Sequence, residues 1–287
     1  MDHSPIILLG THRSGTTWLG QALSQHPSLA YWEEPRYVWS WGNNYKPDDV
    51  LTAQDATPKI VQHIRDRFSR FVSEQKKTRL FEKTPSNCLR VPFIRQVYPE
   101  AKILHIIRDG RSVFSSAERL KTVGYYRQDV LVKRFQRILV ETPVWEWPAM
   151  LSRVTYTLRA KVTNQPIKFW GPRPRGWHDW VKSNTPNVIL AKQWTATINQ
   201  ALKDTDGLDS RVYHRLSYED LVARPRAVMG EAVEFLGLNN SDRFLTEFEK
   251  TVDPSSQHKW SRLISADKLA EIRPYLEPVL IQLGYSW

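Results

Sequence analysis

An anion-binding loop is predicted near the start of the chain, between Gly10 and Gly15. The apolar run Ile6–Leu9 ends at Gly10, and a helical pattern begins at Thr16. The backbone N–H groups of such a loop, together with the positive end of the following helix, bind phosphate or a related anion. Thr16 stands where a nucleoside-triphosphate loop carries its lysine, and the nearest cation is Arg13, inside the loop. The loop is therefore predicted to hold an anion other than a magnesium-bound triphosphate.

A second cationic site is predicted at the end of another apolar run. The run Lys102–Ile107 leads into Arg108, and Ser116 lies eight residues further along. Ligands of parallel sheets bind at the carboxyl ends of the strands, so Arg108 is expected to face a bound anion there. The neighbouring Asp109 and Arg111 are interpreted as a simple ion pair at the surface, without a role in ligand binding.

These stretches resemble the sulfotransferases that use PAPS (3′-phosphoadenosine-5′-phosphosulfate), in the branches that act on carbohydrates or on protein tyrosine. The resemblance covers roughly residues 5–120 and 185–285, and its motifs occur in the family's order and spacing. The motifs are Arg13-Ser14-Gly15-Thr16-Thr17-Trp18, Arg108 with Ser116, Glu82-Lys83-Thr84-Pro85, and Ser217–Val222 followed by Pro225 and Phe235–Leu238.

The resemblance implies a cofactor site for PAPS, with PAP as the released product. The residues expected to bind it are Arg13, Ser14, Gly15, Thr16, Thr17, Arg108, Ser116, Tyr218 and Lys259. The loop from Arg13 is expected to hold the 5′-phosphosulfate, and Arg108 and Ser116 the 3′-phosphate. Tyr218 is expected to contact adenine. Lys259, ranked above Ser256, belongs to the loop that closes over the cofactor. No metal is expected, because arginine and lysine provide the positive charge.

The resemblance also implies which residues carry the reaction. Glu34 follows the second strand, where related branches place a glutamate that acts as general base, and the adjacent Glu33 is left open as the alternative. A carboxylate beside a negatively charged cofactor has its pKa raised, which suits a base near neutral pH. Arg13 and Lys83 are expected to stabilise the leaving oxygen. His105, in the middle of an apolar strand, is interpreted as a core histidine.

Alternating apolar runs and helical patterns predict the α/β class. Strands are predicted at Ile6–Leu9, Leu29–Tyr31, Leu80-Phe81, Lys102–Ile107 and Val212–Leu216. Helices are predicted at Thr16–Gln25, Pro58–Gln75, Pro85–Tyr98, Asp109–Leu120 and Val188–Lys203. Strands that alternate with helices form a parallel sheet covered on both faces. We therefore predict a single P-loop-like domain over residues 1–287, with a central parallel sheet flanked by helices.

Residues 121–182 depart from this pattern. They are rich in proline, arginine and tryptophan, including Trp145, Trp147, Trp170 and Trp177. We interpret them as an insertion that forms a lid over the mouth of the active site. Tryptophan stacks well on sugar faces and arginine can hold acidic saccharides, so a saccharide hydroxyl is the predicted acceptor. A lipid, a peptide tyrosine or a small phenol remains open.

Composition limits the alternatives. The net charge is +11, but the basic residues are spread along the chain. A nucleic-acid-binding protein would leave both anion sites unexplained, and a nucleotide kinase or NTPase is disfavoured by Thr16. The single cysteine, Cys88, is expected to be buried and excludes an internal disulfide. No apolar run approaches the ~20 residues of a membrane span, and Met1–Ser4 leaves no room for a secretory signal, so a cytoplasmic location is predicted.

Overall fold

Five parallel strands form one sheet in the computed structural model, which describes residues 3–123, 169–239 and 242–287. Their order across the sheet is β2-β3-β1-β4-β5. The strands are β1 Ile6–Leu9, β2 Leu29–Glu33, β3 Arg79–Lys83, β4 Lys102–Ile107 and β5 Tyr213–Ser217. All four residues of β1 are fully buried, as expected for the centre of a parallel sheet that is covered on both faces. The predicted α/β class with a parallel sheet is confirmed.

Helices cover the two faces of the sheet. Within the described residues they are α1 Thr16–Leu23, α2 Arg36–Trp39, α3 Pro58–Glu74, α4 Val91–Val97, α5 Gly110–Val123, α6 Trp177–Ser183, α7 Pro186–Thr205, α8 Tyr218–Ala223, α9 Pro225–Leu236, α10 Asp242–Lys250, α11 Trp260–Leu263 and α12 Ala266–Gln282. Helices α3 and α4 pack on one face through Phe68 and Ile94, and α1 and α9 pack on the other through Leu19 and Met229. None of the described helices is both long and apolar enough to cross a bilayer.

The predicted helix Pro85–Tyr98 is wrong in one respect. The chain there forms a 3-10 helix, Pro85–Leu89, and then the separate helix α4. Arg90, with a φ of −149° and a ψ of 32°, separates the two helices. Pro92 lies in the first turn of α4, the part of a helix where the missing N–H of proline costs nothing. The turn at Pro85 therefore remains a separate unit directly after β3.

The tryptophans of the predicted lid divide into two groups. Trp145 and Trp147 lie outside the described residues. Trp177 is 9% exposed, donates its indole N–H to the carbonyl of Pro47 at 2.9 Å, and packs on Phe169 with ring centroids 4.7 Å apart. Trp170 contacts His12 edge-on, with centroids 4.7 Å apart. Trp170 and Trp177 are thus packed against the protein, as is the partly buried Trp180, and a lid over residues 121–182 stays a prediction.

Candidate active site

The predicted anion-binding loop connects β1 to α1 in a backbone conformation that is unusual for L residues. Arg13 and Gly15 have φ of 66° and 90°, and the hydroxyl of Ser14 donates to the carbonyl of Thr11 at 2.5 Å. Positive φ at a non-glycine residue is sparsely populated and is concentrated at functional sites. Gly15 caps α1 without a side chain, so the first-turn N–H groups are available to an anion. A Cβ atom at Gly15 would also lie only 2.6 Å from a ring carbon of Tyr218.

The two predicted anion sites meet in space. The Nε of Arg13 donates to the hydroxyl oxygen of Ser116 at 3.0 Å, across 103 residues of sequence. The Nη1 of Arg108 donates to the carbonyl of Arg13 at 3.2 Å. The structure therefore brings the loop after β1 and the first turns of α5 into one site at the carboxyl edge of the sheet, where parallel α/β sheets bind ligands.

Arg108 lies between Tyr218 and the loop that contains Ser256. Its guanidinium carbon is 4.0 Å from the centroid of the Tyr218 ring, and its Nη2 donates to the carbonyl of Ser256 at 3.2 Å. The Tyr218 hydroxyl donates to the Ser256 hydroxyl oxygen at 2.8 Å. The Nε of Arg108 is buried and has no hydrogen-bond acceptor. Buried donors in native proteins are nearly always paired, and a bound anion is one partner that this N–H can take.

Ser256 contacts this site more directly than Lys259, the reverse of the ranking made from the sequence. The Lys259 ammonium pairs with Asp253 at 3.0 Å, and 46% of its side chain is exposed. Nothing in the adjacent residues Ser255 and Ser256 distinguishes the one that contacts Arg108 and Tyr218. Only the folded position of the 3-10 helix Pro254–Ser256 selects it.

Lys83, at the carboxyl end of β3, joins the residues predicted to carry the reaction. Its side chain is 1% exposed. Its Nζ lies 2.9 Å from Glu33 Oε1, 3.2 Å from Glu34 Oε1 and 3.2 Å from Thr17 Oγ1. These oxygen partners compensate the burial of the ammonium group. The cluster connects the anion-binding loop, through Thr17, to the glutamates at the end of β2.

Glu33 and Glu34 differ in backbone and in contacts, although both reach Lys83. Glu33 ends β2 and accepts a hydrogen bond from the Thr17 hydroxyl at 3.1 Å. Glu34 has φ 54°, and its N–H donates to the carbonyl of Lys83 at 2.8 Å. The Glu34 side chain is 32% exposed and that of Glu33 is 43% exposed, so either carboxylate can meet a substrate. The strained backbone of Glu34 is of the kind that tertiary contacts maintain at functional sites.

Glu82 is a buried carboxylate on the face of β3 opposite to Lys83, and no role was predicted for it from the sequence. Its carboxylate accepts hydrogen bonds from the hydroxyl of Thr84 and from the side-chain amide of Asn87, the latter at 2.7 Å. Burial raises its pKa to about 7, although the hydrogen bond from Thr84 and the nearby charges of Arg90 and Lys83 favour the ionised form. An acidic residue directly before Lys83 in a buried strand was the available signal.

Two further titratable groups behave as predicted. His105 is fully buried with its Nδ1 3.0 Å from the Tyr213 hydroxyl, and burial lowers its pKa to about 3. It is a core histidine, as expected. Cys88 is also fully buried, and burial raises the pKa of its thiol to about 12, so it is not a reactive thiolate.

The ion pair between Asp109 and Arg111 is buried, so its predicted surface position is wrong. The two side chains are 5% and 6% exposed, with Arg111 Nη2 2.7 Å from Asp109 Oδ2. The Arg111 guanidinium lies 4.1 Å from the centroid of the Trp260 ring, which belongs to α11. Packing of α11 covers a pair that the local sequence suggested was open to solvent.

Within the described residues, no group of histidine, cysteine, aspartate and glutamate side chains is arranged to hold a metal ion.

Comparisons with known proteins agree on family and fold. A sequence model described as "Sulfotransferase family" matches residues 5–145. Protein-tyrosine sulfotransferase A of Caenorhabditis elegans is 22% identical over a 318-residue alignment that covers 99% of this chain and 68% of the relative. The sulfotransferase domain of the Synechococcus PCC 7002 olefin synthase superposes with a TM-score of 0.56 at 16% identity, over 100% of this chain and 98% of that domain. A mouse sulfotransferase solved with PAP gives 0.50 at 10% identity, over 98% and 86%. The two structures support the fold.

Proposed function

We propose that this chain, which the sulfotransferase family model matches over residues 5–145, transfers the sulfuryl group of PAPS to an acceptor hydroxyl and releases PAP. The observation that carries this proposal is the buried, unpaired Nε of Arg108 beside Tyr218 and the anion-binding loop. A nucleotide that carries phosphate at both its 3′ and 5′ positions offers one anion to Arg108 and another to the loop. The mouse structural neighbour that was solved with PAP supports the same choice of nucleotide.

The residues present fit such a nucleotide. We call Arg13–Thr17, Arg108, Ser116 and Tyr218 the cofactor side. Arg13 and the first-turn N–H groups of α1 would hold the 5′ end, and Arg108 with Ser116 would hold the 3′-phosphate. The Tyr218 ring is 8% exposed and packs against the Arg108 guanidinium at 4.0 Å, so its support for the nucleotide site would act mainly through Arg108. Thr16 lacks the ammonium group with which a nucleoside-triphosphate loop grips its phosphates, so this side favours PAPS over ATP.

Glu33, Glu34 and Lys83 form what we call the acceptor side, and Glu34 is the proposed general base. When bound, PAPS supplies the sulfuryl group together with a phosphate oxygen that leaves with negative charge. Glu34 accepts the proton that the acceptor hydroxyl loses as its oxygen bonds to sulfur. Lys83 lies 3.2 Å from Glu34 and contacts Thr17 of the loop, which supports a role for its positive charge in stabilising the leaving oxygen. Arg13 adds positive charge from the loop.

A protein tyrosine is the acceptor that we propose. The alignment with the Caenorhabditis elegans protein-tyrosine sulfotransferase extends over 99% of this chain, which includes both sides of the site. The saccharide predicted from the sequence rests on the glutamate base, which sugar-modifying branches use, and on the tryptophans and arginines of residues 121–182. Trp177 is buried and Trp170 packs edge-on against His12, so stacking of either ring on a sugar face is less well supported. A saccharide is therefore kept as the second candidate, and the cytoplasmic location stays a prediction.

The nucleotide is tested by thermal unfolding. PAP should raise the melting temperature, because a ligand that binds only the folded state stabilises it by mass action. ATP with Mg²⁺ at the same concentration should raise it much less. Protection by ATP without protection by PAP would contradict the proposed nucleotide and favour a kinase or NTPase.

The acceptor is tested by transfer of ³⁵S from labelled PAPS. Peptides that contain a single tyrosine should be labelled, and the same peptides with phenylalanine in its place should not, because only the hydroxyl differs. Neutral and acidic oligosaccharides are assayed in parallel. Labelling of an oligosaccharide without labelling of the tyrosine peptides would mean that the acceptor is a saccharide rather than a protein tyrosine. The proposal of PAPS-dependent transfer would still hold.

A further inference from the structure

Asp49 joins distant segments next to the acceptor side, although no motif marks it. Its Oδ2 accepts hydrogen bonds from the Arg36 guanidinium at 3.5 Å, the Ser86 hydroxyl at 3.1 Å and the Arg173 backbone N–H at 3.0 Å. The Asp49 N–H donates to the Arg173 carbonyl at 2.8 Å. Its side chain is 14% exposed. We call Asp49, Arg36, Ser86 and Arg173 the Asp49 network.

The network holds the two segments that carry the proposed base and its cation. Arg36 begins α2, and its N–H donates to the carbonyl of Glu34 at 2.8 Å. Ser86 lies in the 3-10 helix that follows Lys83 and Thr84. Arg36 Nη2 donates to the Ser86 hydroxyl oxygen at 2.5 Å and Arg36 Nε at 3.2 Å. Asp49 accepts hydrogen bonds from both Arg36 and Ser86, so it fixes the separation of the two segments.

The same carboxylate also holds the segment that contacts the anion-binding loop. Arg173 follows Trp170, which packs on His12. Gln193, 1% exposed, donates to the carbonyls of Trp170 and Pro172, each at 2.7 Å. This segment is therefore tied at one end to the loop and at the other to Asp49. Displacement of Asp49 would be transmitted to both sides of the site, but more directly to Glu34 and Lys83.

The charge of Asp49 is matched to this position. Burial disfavours its ionised form, but the guanidinium groups of Arg36, Arg173 and Arg90 outweigh burial and lower its pKa to about 2. Arg90 is 2% exposed, so its positive charge acts on Asp49 with little screening by solvent. Asp49 is therefore ionised at every pH at which the protein would be assayed. Asparagine in its place keeps the shape and removes the negative charge.

We propose that Asp49 is a positioning residue for sulfuryl transfer, which holds the Glu34 and Lys83 segments in register through Arg36 and Ser86. The inference rests on the proposed function. A misplacement of reacting groups by about 1 Å costs roughly 100-fold in rate, so loss of the Asp49 contacts should act on turnover more than on nucleotide binding.

The test compares Asp49→Asn with wild type, in assays with ³⁵S-labelled PAPS and a tyrosine peptide. We expect kcat to fall about 10- to 100-fold while the Kd for PAP and the KM for PAPS stay within about twofold. The double variant Asp49→Asn/Arg36→Gln should be no slower than the slower single variant, because both changes break the same connection. Ser86→Ala, a smaller change in the same network, replaces Asp49→Asn if that variant does not fold.

Asp209→Asn is the matched control. Asp209 also accepts hydrogen bonds from an arginine, Arg211 at 2.9 and 2.7 Å, but this pair is exposed and lies outside the site. The kcat of the Asp209→Asn variant should equal that of wild type. Unchanged kcat in Asp49→Asn, or a parallel loss of PAP binding and kcat, or additive effects in the double variant, would overturn the positioning role. Wild-type protein that does not bind PAP would overturn the proposed function and this role with it.

Discussion

The cofactor side and the acceptor side are built from different kinds of contact. On the cofactor side, Arg108 keeps a buried N–H without an acceptor, although its other nitrogens donate to backbone carbonyls. On the acceptor side, the ammonium of Lys83 already contacts the carboxylates of both Glu33 and Glu34. The first arrangement leaves a buried donor without an acceptor, whereas the second pairs its own charges. The comparison therefore predicts that mutations will separate nucleotide binding from turnover.

The largest expected separation comes from Glu34→Gln. It should lower turnover by roughly 10²–10⁴-fold, because it removes proton acceptance while the shape is nearly conserved. The Kd for PAP should not change, since the Glu34 side chain belongs to the acceptor side. Glu33→Gln is the matched control on the same lysine. An inactive Glu33→Gln with an active Glu34→Gln would move the base by one residue. Full activity in both variants would mean that neither glutamate takes part in the reaction.

Trp177→Ala tests whether the described part of the predicted lid belongs to the core. Loss of this buried ring should cost about 3–5 kcal/mol of stability, as for other large core truncations. Trp170→Ala should cost less stability, because the Trp170 side chain is only partly buried against the core. Melting temperatures of both variants, with and without PAP, give the comparison. A Trp177→Ala protein with an unchanged melting temperature and a raised KM for the acceptor would restore the lid interpretation.

Arg108→Ala should break the cofactor side alone. Removal of a desolvated, charge-assisted contact should cost about 2–4 kcal/mol of PAP binding, measured by calorimetry. Lys259→Ala is the control from the neighbouring loop. Its exposed ion pair with Asp253 is expected to be worth at most about 1 kcal/mol. If Lys259→Ala weakens PAP binding more than Arg108→Ala does, the 3′-phosphate lies nearer that loop.

Glu82 gives the smallest expected effect, a pH dependence of stability. Its folded pKa of about 7 exceeds the ordinary value of 4.5, so the folded state binds more protons between these values. The stability that Glu82 contributes is therefore complete below pH 4.5 and is lost as the pH rises through 7. Between pH 5 and 7 the loss should be about 2 kcal/mol, and it should be absent in Glu82→Gln. Urea unfolding of both proteins at several pH values measures the difference. Identical pH profiles would mean that Glu82 is not titrating in this range.

The elements and local motifs were largely predictable from the sequence, because each depends on neighbouring residues. β1 and β4 have their predicted bounds, and α1 begins at the predicted Thr16. The loop from Arg13 could be recognised because its glycine and its helix start are adjacent in sequence. The break at Arg90 was missed, although Pro92 was an available local signal, because proline is disfavoured in the interior of a helix.

Contacts between distant segments were less predictable. The reversal in rank between Ser256 and Lys259 depends on where one loop packs, and the burial of Asp109 and Arg111 depends on Trp260. Asp49 received no interpretation, because an aspartate in a polar stretch is compatible with a solvated loop. Its partners are up to 124 residues away, so no local pattern could reveal them.

The sequence by itself determined the strand–loop–helix unit that binds the anion, the parallel sheet, and the residue types able to hold a doubly phosphorylated nucleotide. The strand–loop–helix unit and the sheet follow from short-range spacing, because hydrophobic period and glycine positions act on neighbouring backbone. The nucleotide follows from the resemblance to the sulfotransferases that use PAPS. Only the tertiary structure decided that Lys83 is shared by two glutamates, that Arg108 retains a buried N–H without an acceptor, and that Asp49 holds three segments together. Burial and pairing of charge are properties of the packed chain, since the solvation that each group loses is set by residues remote in sequence.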